Sequence, residues 1–128
     1  MIVLDASVLI AFFDGQDNHH STAHQLLAHA IDEDFAINSL TLAEVLVAPV
    51  RDGRLDQVMA ALEALEVSEL AFPADTAVRL ARLRVTTGLK VPDCCIVLAA
   101  EDAGASIASF DERLTQCAEM RNLTVVRG

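Results

Sequence analysis

The sequence contains no tryptophan and no tyrosine, and aromatic residues make up only 4% of its 128 residues. Its interior must therefore be built from Ala, Val, Leu and Ile, within a hydrophobic share of 53%. That apolar content excludes a disordered chain and suits short strands alternating with Ala/Leu-rich helices. Bases are scarce as well: 9 Lys and Arg stand against 19 Asp and Glu, a formal net charge of -10. A nucleic-acid binder working through a broad Lys/Arg-rich face is excluded, and a protein partner is expected to offer a basic surface. The three cysteines, Cys94, Cys95 and Cys117, form no CxxC pair. A disulfide framework is thus excluded, a reducing cytoplasm is the expected compartment, and the adjacent Cys94 and Cys95 read as small buried hydrophobes. No basic segment precedes the N-terminal apolar run, which argues against a signal peptide. No stretch approaches the roughly 18 uninterrupted apolar residues of a membrane span. The length suits one domain, 1–128, with a core of its own.

What is present is a regular alternation of short apolar runs and helical segments. Ile2 to Leu4 reads as a buried strand, followed by a helix over Ala6–Phe13 that Asp14 and Gly15 stop. HHSTAHQLLAHAID is helical, with Ala23, Leu26, Leu27, Ala30 and Ile31 on one stripe. Phe35–Ile37 is a second strand, and Thr41 is placed to cap a helix with Glu44 at the capping-box position. A helix over Leu55–Leu65, a strand within VSELAF, and the Arg-bearing helix AVRLARLRV closed by Gly88 come next. Pro92 and Asp93 open a helix running through Ala103, and Gly104 ends it. Ala105–Ala108 is a fourth strand, DERL begins a last helix and LTVV is a fifth strand. This order predicts an α/β fold: a three-layer α/β/α sandwich around a mostly parallel sheet of four to five short strands joined by right-handed crossovers.

In such sheets ligands bind at the carboxyl ends of strands, near the switch point in strand order. Four acids fall at strand ends or helix starts. Asp5 follows the first strand, Asp111 follows the fourth, Asp93 opens a helix after KVP, and Glu44 sits among apolar residues in TLAEVLV. Each has a structural explanation as a helix cap or first-turn acid, contributing about 0.5–2 kcal/mol. Capping accounts for the set less well than for any one member. Asp5 stands between two runs that both should be buried, and Glu44 shares a face with Leu40, Ala43 and Val47 that is expected to pack inward. Buried carboxylates are tolerated when paired or coordinated, and four meeting at one sheet end would suit a hard cation such as Mg²⁺ or Mn²⁺.

The segments VLDASVLIAFF, LTLAEVL, VPDCCIVLAAEDAGA and IASFDERL, in that order, resemble a PIN domain. The subgroup they are most similar to is the VapC-type toxin ribonucleases of bacterial toxin–antitoxin pairs, and the resemblance covers essentially the whole chain. It implies that Asp5, Glu44, Asp93 and Asp111 are the catalytic acids and that Ser7 fills a polar position the family often keeps. Ser109 and Phe110 stand where many relatives carry Thr with Asn or Arg, so Ser109 is the residue left to supply a hydroxyl. The resemblance further implies Mg²⁺- or Mn²⁺-dependent hydrolysis of RNA to a 5′-phosphate and a 3′-hydroxyl, a cognate antitoxin protein and a homodimer. Asp5 and Asp93 are then the firmest metal ligands, Asp111 ligates directly or through water, and Glu44 ligates or orients the attacking water.

Weaker signals remain. Arg79, Arg82 and Arg84, with Lys90, form the densest basic patch, either a solvated helix face or a grip on RNA phosphates. His20 and His24 share a helix face at i, i+4 with no third ligand nearby, which favours packing over metal binding. The stripe Leu55, Val58, Met59, Leu62 and Leu65 is either core or a docking face. A dehalogenase-like phosphatase needs an acid two residues after Asp5, where Ser7 stands, and a receiver domain needs an acidic pair there. The alternative that survives is a PIN scaffold that binds RNA or protein without cleaving.

Overall fold

The computed structural model describes residues 1–127. Five strands form one sheet: β1 (Ile2–Leu4), β2 (Phe35–Asn38), β3 (Ser68–Leu70), β4 (Ser106–Ala108) and β5 (Val125–Val126). All pairings are parallel and the spatial order is β3-β2-β1-β4-β5. Helices α1 (Ala6–Phe13), α2 (His20–His29), α3 (Ser39–Arg51) and α4 (Leu55–Ala64) make the two crossovers on one side. Helices α5 (Thr76–Thr87), α6 (Val91–Ala103) and α7 (Glu112–Met120) make those on the other. The α/β/α sandwich expected from the alternation is therefore the observed fold.

Period-two alternation along the strands builds both cores. Ile2 and Leu4 of β1, with Phe35 and Ile37 of β2, face α1–α4 and pack with Leu9, Leu26, Leu27, Val45, Val58 and Leu62. Val3 and Ile107 face the other way, against Leu89, Ile96, Val97, Leu98 and Leu114. Because both faces are covered, the central strands β1 and β2 open as continuous apolar triplets, IVL and FAI, whereas the edge strand β3 is Ser-Glu-Leu with two exposed residues. Helix α6 lies deepest: Cys94 to Ala100 are all buried, both cysteines included.

Three of the four turns from helix back to strand, those before β3, β4 and β5, share one device. Glu66, Gly104 and Asn122 each adopt a left-handed backbone, with φ of 56°, 62° and 64°. The next amide then returns to a carbonyl five residues back: Val67 to Leu62 at 3.1 Å, Ala105 to Ala100 at 2.9 Å, Leu123 to Ala118 at 2.9 Å. This is the Schellman closure of a helix, and only one of its three left-handed positions is occupied by glycine.

Two local expectations are corrected. Helix α3 starts at Ser39, not after Thr41, because Asn38 caps it: the Asn38 side-chain oxygen accepts from the Thr41 amide at 2.8 Å. The capping box of Thr41 with Glu44 does not form. Thr41, Val45 and Pro49 point inward, while Leu40 and Val47, 40% and 61% exposed, face out with Ala43 and Glu44. In α2 the stripe stops at Ala30, since the helix ends at His29 and Ile31 is 59% exposed. Among the described residues no helix is long and apolar enough to cross a membrane.

Candidate active site

The strand order reverses between β1 and β4, which pair directly. Leu4 lies opposite Ala108, and the Asp5 amide donates to the Ala108 carbonyl at 2.9 Å. Asp5 and Ser109 are therefore neighbours at the carboxyl end of the sheet, as a crevice at the switch point requires.

Asp5 is 9% exposed and caps α1, its Oδ1 accepting from the Ala6 amide at 2.9 Å. Its Oδ2 accepts from two hydroxyls, Ser7 Oγ at 2.8 Å and Ser109 Oγ at 2.7 Å. Each serine oxygen in turn accepts a backbone amide from the β4–α7 turn: Phe110 N–H donates to Ser7 at 3.1 Å, and Asp111 N–H donates to Ser109 at 3.0 Å. Two of these four hydrogen bonds, Ser109 to Asp5 and Phe110 to Ser7, tie the turn after β4 to the segment after β1, and the other two fix each segment locally. A buried carboxylate is tolerated on those terms.

Asp111 is exposed and caps α7, its Oδ1 accepting from the Arg113 and Leu114 amides at 2.9 and 3.2 Å. Asp93 lies half-buried in the first turn of α6. Its carboxyl is pushed up to about 6, first by burial and then by the charges of Asp111, Asp5 and Glu44, with Lys90 opposing. Glu44 is surface-exposed as a residue, yet nearby protein takes water from its carboxylate, and with the charge of Asp5 this raises its pKa. Asp93 therefore lies within electrostatic reach of the other three acids chosen from the sequence, and Glu44 within reach of Asp5. As they stand, no three acid, His or Cys side chains among the described residues are arranged to hold a metal ion.

The basic patch divides in two. Arg79 pairs with Asp102 at 3.0 Å and Asp75 at 3.7 Å. Asp102 lies nine residues along α6 from Asp93, about 13 Å at the helical rise, so Arg79 sits at the far end of that helix. Arg82 lines the same depression as Arg79, with Glu101 and Arg121. Arg84 lies at the near end and donates to the Gly88 and Leu89 carbonyls at 2.7 and 2.9 Å. Lys90 is close enough to lower the pKa of Asp93. A third base missed in the sequence joins them: Arg113 Nη2 donates to the Gly88 carbonyl at 3.1 Å. Its one sequence signal is its place two residues after Asp111. His20 and His24 pack rather than ligate, with His20 Nδ1 2.8 Å from the Ala11 carbonyl and His24 stacked on Phe12 at 4.3 Å.

An all-parallel α/β sandwich with acids gathered at its switch point, the carboxyls of Asp93 and Glu44 both raised, is the class that these observations define. The profile of the PIN domain family matches residues 2–120, and the chain belongs to that family. Its fold is similar to a toxin–antitoxin complex chain from Klebsiella pneumoniae, at 25% identity and a TM-score of 0.75 over 87% of both chains. VapC20 of Mycobacterium tuberculosis, a sarcin–ricin loop cleaving toxin, is similar over the full length of both chains at 18% identity and a TM-score of 0.81. FitAcB of Neisseria gonorrhoeae is 24% identical with a TM-score of 0.72, over 99% of this chain and 97% of that one. No curated protein matches the chain.

Proposed function

We propose that this chain is the toxin of a toxin–antitoxin pair, a ribonuclease that hydrolyses RNA phosphodiester bonds with Mg²⁺ or Mn²⁺. The observation that carries the reading is Asp93, raised to about 6 by burial and by three other acids. Uncompensated negative charge at one end of a sheet is what a divalent cation would offset. The donor set fits: all-oxygen ligands suit a hard cation, and Mg²⁺ keeps several waters while using one or two carboxylates, so a preformed three-acid cage is not needed.

In this reading Asp5 and Asp93 hold the cation and Asp111 supports it directly or through water. When bound, the cation would acidify a water and stabilise charge on the phosphate and the leaving oxygen. Ser7 and Ser109 hold the Asp5 carboxylate in one rotamer, through the bonds at 2.8 and 2.7 Å. Glu44, with its raised pKa, orients the attacking water and accepts its proton. The RNA phosphates are steered by Lys90, Arg84 and Arg113 beside the acids, and the products carry a 5′-phosphate and a 3′-hydroxyl.

The partner reading rests on the neighbours, one of which is a toxin–antitoxin complex by name. It is supported by a groove of about 520 Å³ that places Leu42, Met59, Ala60 and Val67 beside Asp56, Glu63 and Glu69. An amphipathic, basic antitoxin segment suits such a groove, and the toxin acts in the cytoplasm as a homodimer.

Cleavage of RNA with Mg²⁺ or Mn²⁺, abolished by chelator and by Asp5→Asn and Asp93→Asn, is the expected result. Cleavage that persists in both variants would overturn the assignment. The second reading, a non-cleaving scaffold, is favoured by the capping bonds of Asp5 and Asp111. It predicts RNA or protein binding without cleavage under any divalent cation.

A further inference from the structure

Phe110 stands between the two residues that matter most in its turn, Ser109 and Asp111. Its amide is bonded to Ser7, which is bonded to Asp5, so its backbone is keyed to the acids. Its side chain is half-buried: it packs against the first core and stacks on His19, with ring centroids 4.7 Å apart and planes 15° from parallel. The His19 side chain is 55% exposed. The result is a two-ring stack rising from the edge of the acid site to solvent, in a protein with five phenylalanines and four histidines but no Trp or Tyr.

Beside this stack a cavity of about 390 Å³ opens between α2 and α7. Ser109 and Phe110 form one wall, shared with the acids, and Thr22, Thr115 and Gln116 add two hydroxyls and an amide, with one acid, Glu112, and one base, Arg127. A flat ligand with a hydrogen-bonding edge suits both parts. Its face stacks on the rings, and its donors and acceptors meet the amide and hydroxyls, each of which both donates and accepts. A nucleobase has that chemistry, whereas an aliphatic ligand would leave the polar lining unpaired.

We infer that the Phe110–His19 stack and the adjoining Gln116 cavity form a subsite for an unpaired nucleobase flanking the scissile phosphate. The inference rests on the reading of the acids as an RNA-cleaving site and adds to it the substrate class. A base within a duplex has its faces covered by its neighbours and its edge by its partner, so only a single-stranded or looped segment can enter. The net charge of -10 makes stacking the more useful here, since it needs no basic surface and tolerates any base.

The test separates binding from cleavage. A short single-stranded oligoribonucleotide carrying one 2-aminopurine is titrated into the Asp93→Asn protein, and quenching of its fluorescence reports stacking. Quenching is expected, and is expected to vanish when a complementary strand pairs the 2-aminopurine. Adding Phe110→Leu, which keeps apolar volume, or His19→Ala should weaken binding about 5- to 100-fold. In the cleaving protein the same changes should raise KM and leave kcat within about threefold, the range expected when ground and transition states lose the same contact. Phe110→Leu and His19→Ala proteins that bind and quench like the parent, or equal binding of the duplex, would overturn the subsite. Cleavage untouched by these variants sinks the subsite but leaves the hydrolytic reading. Quenching in a protein that cleaves under no divalent cation sinks the hydrolytic reading instead.

Discussion

At the scale of single residues, Asp93 carries the most consequence. Its carboxyl titrates near 6 rather than 3.8, so the folded state holds this proton more tightly than the unfolded chain does. The sign follows: the cost of the charged form is absent below about pH 4, grows through pH 6 and is fully present above it. Asp93→Asn removes that cost and is expected to stabilise the metal-free protein by about 1 kcal/mol at pH 7.5, allowing for solvent screening at a half-exposed site, with no gain at pH 4. Thermal denaturation at the two pH values checks this. Because a proton and a cation compete for the same carboxylate, Mn²⁺ should raise Tm at pH 7.5 and lose that effect below pH 6. Asp111 separates structure from chemistry in a second way. Asn caps a helix as well as Asp does, and Ala does not. Asp111→Asn should leave stability within about 0.5 kcal/mol and Asp111→Ala should cost about 1 kcal/mol, while both lower cleavage about 10- to 100-fold. Equal activity of Asp111→Asn and the parent would reduce Asp111 to a cap.

At the scale of elements, what could be read from the chain depended on whether the deciding partner was local. The strands were legible because Ile2–Leu4 and Phe35–Ile37 are buried on both faces and so carry no polar interruption. Gly104 announced the end of α6 because glycine has no Cβ penalty at positive φ. Glu66 and Asn122 make the same closure without that mark and passed unread. A left-handed conformation costs a non-glycine residue roughly 1–2 kcal/mol, so Glu66→Gly is expected to stabilise the protein by about 1 kcal/mol, measurable as a higher midpoint in urea. The start of α3 was misread because two capping residues, Asn38 and Thr41, lie three apart, and only the burial of the sheet end decides between them. Glu44 faces out for a separate reason: the apolar residues on its face, Leu40 and Val47, are themselves 40% and 61% exposed, so the apolar pattern around it does not mark a buried face. Arg113 was illegible for a plainer reason: its partner, the Gly88 carbonyl, is 25 residues away.

The whole molecule sets a field problem that no single residue solves. A chain of net charge -10 repels RNA at long range, and the Gly88 turn with Arg84, Lys90 and Arg113 is the local exception beside the acids. Removing one such contact should weaken RNA binding in a salt-dependent way. Arg113→Ala is expected to raise KM roughly threefold to tenfold at low salt and to shrink that difference as salt rises. A salt-independent change would place Arg113 in the scaffold alone. The parallel sheet also divides the molecule into two ends with different tolerances. Every turn from strand to helix carries or touches an acid, while the closures at Glu66, Gly104 and Asn122 all lie at the opposite end. A chain built this way can be lengthened, nicked or fused at one pole without disturbing the other. A flexible insert in the exposed turn between α2 and β2 should therefore be tolerated far better than one after Ser109, which would part the turn from the acid it is bonded to.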